Sequence, residues 1–344
     1  MSTKQSPRRW ARSALASLST AACLRVRTTV VVAASVFVLT GFTVHPGSLP
    51  PGAPRIVVTP TQAKAAVTAW NQLDDTAASN LDANMLDQLE APPLSGIDVP
   101  GFRDAKARGE SPPPVVGVAN VIVYVPKQTS YPAQFLARLD GTNGTTNYFV
   151  FVKVSKQAPW KAAYRASLVS NATAPELALD PRGHAAVIRE RQAKKQLKFA
   201  PATLARAYSD FLNQSAQGSA PASSATFSPD VAQPLVGSLG PVSAGQRVIT
   251  YAPTNDPAYS YRTRDGGAFS LVTASVEIRT TADAGAVITP PQQLFDLRPG
   301  QRYQSMEMKG IDLVGLSVPP ARASALVTSP ADYNAVISAT GVPE

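Results

Sequence analysis

The sequence predicts an α+β protein in which one apolar N-terminal helix precedes two domains, each a helix packed on a curved antiparallel sheet. Three observations predict this class. Residues 28–44 are an uncharged apolar run, and a helical apolar stripe followed by short strand-like runs occurs twice after it. In addition, 31 prolines outnumber 21 glycines, so the elements should be short and the loops many. A chain of 344 residues has room for two domains of about 100–200 residues each.

The predicted organisation has six segments. They are a basic cytoplasmic tail (1–27), a transmembrane signal anchor (28–44), a proline-rich spacer (45–60), a first α+β domain (61–170), a connector (171–200) and a second α+β domain (201–344).

The apolar run from Thr28 to Val44 would make a helix about 25 Å long, near the shortest length that spans a bilayer. Arg25 and Arg27 precede it, and basic residues on one side favour a cytoplasmic N-terminus. The run therefore predicts a single-pass cell-membrane protein. In this prediction, residues 28–44 contact the membrane, and the C-terminal domains are extracytoplasmic.

Three other interpretations of this run are less favoured. A cleaved signal peptide needs small residues before the cleavage site, and no A-x-A pattern occurs between Gly41 and Gly47. A lipoprotein signal needs a cysteine after the run, whereas Cys23 precedes it. A buried soluble helix would show some polar face, which this valine-rich run lacks. Whether the segment is cleaved stays open.

The net charge of +9 belongs mostly to the N-terminal tail. Residues 1–44 hold six basic residues and no acid, which leaves 26 basic and 23 acidic residues in the rest of the chain. No basic patch interleaved with aromatic residues is visible, so nucleic acid is not an expected partner. Cys23 is the one cysteine, which excludes an intrachain disulfide and a zinc site of the cysteine type.

The first predicted domain opens at Thr59-Pro60-Thr61, a helix-start pattern. The apolar stripe that follows predicts a helix, and Pro92-Pro93 ends a second short helix. Residues 92–114 are predicted as a proline-rich loop. Four strand-like runs come next: Asn120–Val125, Ala133–Asp140, Tyr148–Ser155 and Trp160–Val169.

The second predicted domain repeats this order. Pro201-Ala202-Thr203 opens a helix, and Arg189 to Lys198 in the connector is compatible with a short one. The predicted strands are Gln246–Ala252, Ala268–Thr281, Arg302–Lys309, Ile311–Val318, Ala323–Thr328 and Ala335–Ala339. Helix, loop and meander thus appear twice, which predicts two copies of one architecture.

A helix followed by a curved sheet, in tandem behind an anchor, resembles the NTF2-like or cystatin-like α+β class. Short stretches also resemble an uncharacterised family of exported actinobacterial proteins: Thr59 to Ala63, Tyr148 to Lys161, Val318 to Pro320 and Ser338 to Gly341. The resemblance covers roughly residues 59–343 and its motifs are short. It implies no known activity, so no functional residue is carried over from it.

No catalytic constellation is apparent, and we predict no catalytic, cofactor-binding or metal-binding residue. The two histidines are His45 and His184, and no G-x-S-x-G elbow accompanies them. Asp74, Asp75 and Asp82 are interpreted as the exposed side of the first helix.

The favoured function is a non-enzymatic binding or scaffold module of the cell envelope, with an envelope protein or a cell-wall component as partner. The alternative is a ligand-binding or weakly catalytic domain that uses the cone between helix and sheet. Its expected lining is aromatic: Tyr124, Tyr148, Phe149 and Phe151.

Overall fold

Helix α1 (Pro60–Asn80) begins where the sequence supplies a capping box. In the computed structural model, which describes residues 56–216, 226–232, 245–290 and 294–344, the Gln62 N–H donates to Thr59 Oγ1 at 3.3 Å. The Thr59 N–H donates in return to Gln62 Oε1 at 3.0 Å. The helix buries Ala63, Val67, Trp70 and Ala77, which confirms the predicted stripe. Leu73, predicted on the same stripe, is 45% exposed.

Two further helices follow, of which the sequence predicted the first and not the second. Helix α2 spans Ala83–Leu89, and helix α3 spans Ser95–Ala107 with Pro100 inside it. The loop prediction for residues 92–114 is therefore wrong over α3. Burial of Leu94, Ile97 and Val99 outweighs the helix-breaking preference of the proline.

An antiparallel meander follows the three helices, close to the predicted runs. Its strands are β1 (Val118–Tyr124), β2 (Ala133–Gly141), β3 (Thr146–Lys153) and β4 (Lys161–Leu168). Each strand pairs with the next in sequence. Asn143-Gly144 lies in the turn between β2 and β3, where Gly144 has a φ of +82° that favours glycine.

The described part of the second half adds two helices, a short 3₁₀ turn and five strands. These are α4 (Glu190–Gln196), α5 (Pro201–Ala216), the 3₁₀ turn Pro229–Ala232, β5 (Gly245–Pro253), β6 (Tyr259–Arg262), β7 (Ala268–Ala282), β8 (Tyr303–Val318) and β9 (Thr328–Pro343). Strand β6 was not predicted, and β8 was predicted as two shorter strands. The predicted strand Ala335–Ala339 covers only part of β9, and the predicted strand Ala323–Thr328 is wrong, because those residues, apart from Thr328, lie in the segment before β9.

The nine strands of the described residues belong to one sheet, in the order β1-β2-β3-β4-β9-β8-β7-β5, with β6 also on β7. Strand β4 joins β9 through the pairs Ser167–Asp332 and Leu168–Ala331. The predicted fold class of two NTF2-like or cystatin-like domains, each with its own sheet, is therefore wrong. Alternation within a strand does not specify its partner, and the sequence showed no sign that β4 continues into β9.

The two halves of this sheet also pack face to face. The ring of Tyr148 in β3 lies 5.0 Å from that of Phe269 in β7, centroid to centroid. The Thr273 hydroxyl of β7 donates to the Tyr164 hydroxyl of β4 at 2.6 Å. Because β7 is not the neighbour of β3 or β4 within the sheet, these contacts show that the sheet bends back on itself.

Helix α1 packs on the first half of the sheet and helix α5 on the second half. Trp70 of α1 packs on the β3 rings of Phe149 and Phe151. On the second half, Tyr208 of α5 donates a hydrogen bond to Asp312 Oδ2 of β8 at 2.6 Å. The neighbouring Leu313 faces the other way, into the core that contains Trp70.

The predicted transmembrane anchor, residues 28–44, lies outside the described residues. Within the described ranges, no helix is both long and apolar enough to cross a membrane. The prediction of a single-pass membrane protein with a membrane localisation therefore has no support in the described helices and is not used below.

Candidate functional site

The cone between α1 and the sheet, which was the expected ligand pocket, is filled by its own side chains. Tyr148, Phe149 and Phe151 are buried, and Tyr124 is half-buried. The Trp70 ring centroid lies 5.0 Å from that of Phe149 and 5.2 Å from that of Phe151. Because Phe149 and Phe151 pack on Trp70, Tyr148 packs on Phe269 and Tyr124 lies against the same cluster, we assign these rings to the hydrophobic core.

The polar residues considered from the sequence have separate positions. His184 lies in a turn, where its N–H donates to Asp180 Oδ1 at 2.8 Å. Asp82 caps α2 by accepting from the N–H groups of Asn84 and Met85. Asp75 accepts a hydrogen bond from the Asn71 amide at 3.0 Å, and Asp74 is partly buried. His45 lies outside the described residues.

Asp74 belongs to a group of polar residues that sequence reasoning missed. We call this group the acid–arginine cluster and define it as Asp74 in α1, Glu90 at the end of α2, Asp98 in α3, Arg165 in β4 and Tyr333 in β9. The Tyr333 hydroxyl donates a short hydrogen bond to Asp98 Oδ1. The Arg165 guanidinium carbon lies 4.7 Å from the centroid of the Tyr333 ring.

Glu90 is the innermost member of the cluster. Its side chain is 2% exposed, and its Oε2 atom has no hydrogen-bond partner among the described residues. Asp74, Asp98, Arg165 and Tyr333 are partly exposed, so solvent reaches one side of the cluster. The cluster therefore combines an enclosed carboxyl with neighbours at the surface.

The electrostatics of the cluster follow from three carboxyl groups that share one guanidinium. Burial raises the pKa of Asp74 to about 7, although Arg165 lowers it in part. Burial, then the negative charges of Asp98 and Asp74, raise the pKa of Glu90 well above its usual range. Burial also raises the pKa of Asp98. These carboxyls consequently hold protons at pH values where exposed acids do not.

Arg165 remains charged in this setting. Burial acts to lower its pKa, but Tyr333 and the facing acids outweigh that effect and raise it. The cluster thus places carboxyl groups that retain their protons beside the charged guanidinium of Arg165. In the part of the chain that the structure describes, no group of three or more His, Cys, Asp or Glu side chains is placed to hold a metal ion.

One signal in the sequence locates Asp74 but not its neighbours. Asp74 follows Trp70 by four residues and Val67 by seven, so helical periodicity places it on the buried face of α1. No comparable local signal exists for Asp98 and Arg165, because they come from an unpredicted helix and from a strand.

A second feature is a groove at the edge of the sheet between α1 and β1. It has a volume of about 640 Å³ and is lined by Pro60, Thr61, Lys64, Ala65, Thr68, Ala69, Gln72 and Val123. We call it the α1–β1 groove. Lys64 is the single charged side chain among these described lining residues, and Ala65 and Ala69 are exposed.

Strand β1 forms the rim of this groove and is one end of the sheet. Within the described ranges it pairs with β2 on one side and with no strand on the other. An edge strand presents a row of backbone N–H and C=O groups to any segment that can pair with it. Val115 and Val116, just before β1, are also exposed.

The opposite edge of the sheet is treated differently. At β5, the side-chain amide of Asn213 in α5 donates to the Tyr251 carbonyl at 2.8 Å and accepts from the Tyr251 N–H at 2.7 Å. One amide thus takes the place of a strand residue. The two edges therefore differ, since α5 supplies hydrogen bonds to β5 while α1 leaves a groove beside β1.

The fold and these sites define an α+β protein with one bent sheet, one groove-flanked edge and a buried titratable cluster. The chain belongs to the family described as Domain of unknown function (DUF8094), which matches residues 54–337. No curated protein matches the chain significantly.

Proposed function

We propose that this protein is a non-enzymatic binding module that takes up an extended polypeptide segment as an additional strand on β1. Addition of a strand to an exposed sheet edge is a recurring mode of peptide recognition, in which backbone hydrogen bonds supply affinity and side-chain pockets supply specificity. The observation that carries the proposal is the open β1 edge beside the α1–β1 groove.

The lining of the groove suggests the chemistry of the partner. Ala65 and Ala69 leave space for an apolar side chain, and Thr68 and Gln72 offer polar atoms beside it. Lys64 contributes a positive charge. An extended segment that alternates outward and groove-facing residues, with an acid placed opposite Lys64, matches this lining.

Peptides selected by display against the protein test the proposal. Ala69→Trp fills the groove without touching the core, because Ala69 is exposed. We expect the variant to weaken binding of the selected peptides at least tenfold, or about 1.4 kcal/mol. Titration by fluorescence anisotropy measures the effect, and amide hydrogen exchange of Val118–Tyr124 should slow when the peptide is bound.

Two controls make this test specific. Gln88→Trp places the same side chain at an exposed position of α2 and should leave binding unchanged. Lys64→Glu should weaken binding of peptides that contain an acid, whereas Lys106→Glu, an equal charge change at an exposed position of α3, should not. Equal binding to Ala69→Trp and Gln88→Trp, or slowed exchange at a strand other than β1, would contradict the proposal.

A further inference from the structure

The segment that leads into β1, residues 111–117, is exposed along its whole length. We call it the proline arm, after the three consecutive prolines at its start. None of its residues belongs to a helix or a strand. Its two valines, Val115 and Val116, are 51% and 39% exposed. Exposed apolar side chains beside an open strand edge are a feature of interaction surfaces.

The consecutive prolines hold this arm in an extended conformation before any partner binds. Each proline ring fixes its own φ at about −65° and biases the residue before it toward extended backbone. A segment that is already extended loses less conformational entropy on binding than a flexible one. The proline arm therefore has the conformation of the segment that the α1–β1 groove is proposed to accept, and its valines supply apolar side chains for that groove.

Strand β1 lacks the charged residues and prolines that commonly keep an edge strand from pairing with another strand. After a register shift between Val118 and Asn120, its residues pair regularly with β2 as far as Tyr124. The next carbonyl, that of Val125, accepts from the Ala185 N–H at 3.0 Å, so the open stretch ends there. The edge of β1 is thus a short, uncharged stretch that can pair with a strand of similar length.

A second copy of the chain offers this edge a partner that is matched by symmetry. Most dimers of identical chains are two-fold, and a two-fold axis beside an edge strand pairs that strand antiparallel with itself. The start of β1 in one copy then lies beside the end of β1 in the other. The proline arm consequently reaches Val123, which lines the α1–β1 groove. Each copy gives one arm and receives one, so the contact is made twice.

The charges at this contact are also complementary. Glu110 directly precedes the proline arm, and Lys64 is the charged residue among the described lining residues of the groove. Glu110 pairs with Arg108 at 3.1 Å, and Arg108 also pairs with Asp104 at 3.0 Å. Arg108 therefore keeps a carboxylate partner when Glu110 turns toward Lys64 of a second copy. The arm thus brings both the apolar side chains and the acid that match the groove.

We propose that the protein forms a two-fold homodimer in which the β1 edges pair and each copy lays its proline arm in the α1–β1 groove of the other. This inference rests on the proposed function, because it identifies a second copy of the chain as an occupant of the same edge and groove. Dimerisation and uptake of a separate peptide then exclude each other, so the protein concentration controls access to the groove.

Sedimentation velocity of the full chain over a range of concentrations tests this dimer. The wild type should form a dimer whose share rises with concentration. Val115→Asp places a charge in the apolar contact and should weaken the dimer at least roughly tenfold, as should Ala69→Trp, which fills the groove. Val154→Asp makes the same change at an exposed valine just after β3, and Gln88→Trp is the control for the groove variant. Neither control should change the dimer.

Amide hydrogen exchange of the wild type gives a second test that needs no variant. Exchange in Val118–Tyr124 should slow as the protein concentration rises, because pairing protects the backbone N–H groups of the edge. Exchange in Gly245–Pro253, which is the strand at the opposite edge, should not depend on concentration, because β5 takes no part in the contact.

Three results would overturn the dimer: a wild type that stays monomeric at every concentration, a dimer that Val115→Asp leaves intact, and exchange in β1 that is independent of concentration. The proposed function is judged separately, because Val115→Asp leaves the edge and the groove free. This variant should bind the display-selected peptides at least as tightly as the wild type. A monomeric Val115→Asp variant that binds none of them would contradict the proposed function and support the dimer.

Discussion

Asp74 illustrates at the scale of a single residue how helical spacing and side-chain chemistry disagree. The spacing from Val67 and Trp70 places it on the inner face of α1, whereas an aspartate is usually exposed. In the structure, the charges of Arg165 and Asp98 act on Asp74, and burial raises the pKa of its carboxyl, so that the residue can face inward in its neutral form. A charged residue in phase with an apolar stripe is therefore worth treating as a candidate site residue.

Glu90 gives a prediction at this scale. Its pKa is raised by burial, so the folded state binds more protons than the unfolded state above the ordinary glutamate pKa. Stability contributed by the neutral form is fully present at low pH and is lost as the pH rises. We expect Glu90→Gln to be more stable than the wild type by more than ~1.4 kcal/mol at pH 8, equivalent to one pKa unit.

Urea unfolding at pH 5 and pH 8 measures this effect. The gain from Glu90→Gln should be smaller at pH 5, because fewer protons are released on unfolding there. Glu176→Gln serves as the control, since Glu176 is exposed and its ion pair with Arg264 lies at the surface. A Glu90→Gln variant that is less stable at pH 8 than at pH 5, relative to wild type, would disprove the neutral assignment.

At the scale of elements, the edge strand β5 shows how one side chain substitutes for a missing strand. Asn213 bonds both backbone groups of Tyr251. Asn213→Ala leaves these two groups without their partner and should cost about 1–3 kcal/mol. It should also expose a pairing edge, so self-association should rise with concentration.

Chemical denaturation and sedimentation velocity check both parts of this prediction. Asn84→Ala, at an exposed position in α2, is the matched control and should change neither quantity. A wild-type unfolding midpoint for Asn213→Ala would show that water replaces the amide at this edge.

Other elements show which sequence signals are enough to predict a helix or a strand. The helix stripes and the strands of the first meander were predicted, because caps, apolar spacing and turns are local. Strand β8 was split in the prediction at Gly310. There a Cβ would lie 2.8 Å from Val276 Cγ1 and 2.9 Å from the Ala335 carbonyl oxygen. Glycine at this position reflects a close approach of neighbouring strands and not a turn.

At the scale of the whole molecule, the two described halves share one sheet and one of its hydrophobic clusters. Phe269 and Leu313 from the second half belong to the same buried cluster as Trp70 and Phe151 from the first. Strand pairing and this shared packing should make residues 56–344 unfold as a single cooperative unit.

Comparison of the unfolding transitions measured by two spectroscopic probes tests this expectation. Trp70 and Trp160 report on the first half by fluorescence, and far-UV circular dichroism reports on the whole sheet. The two transitions should share a midpoint in urea. Separate midpoints would indicate that the halves unfold independently, as the two-domain prediction implied.

The sequence by itself determined the helices and strands that rest on short-range patterns: the cap of α1, the stripes of α1 and α5, and the alternation in β3 and β7. Only the tertiary structure decided that β4 pairs with β9, that α3 forms around Pro100, and that Asp74, Glu90, Asp98 and Arg165 meet. The physical reason is the separation along the sequence over which each kind of interaction acts. Caps and periodicity act over a few residues, whereas strand partners and shared protons depend on groups that are distant in sequence and close only in the folded chain.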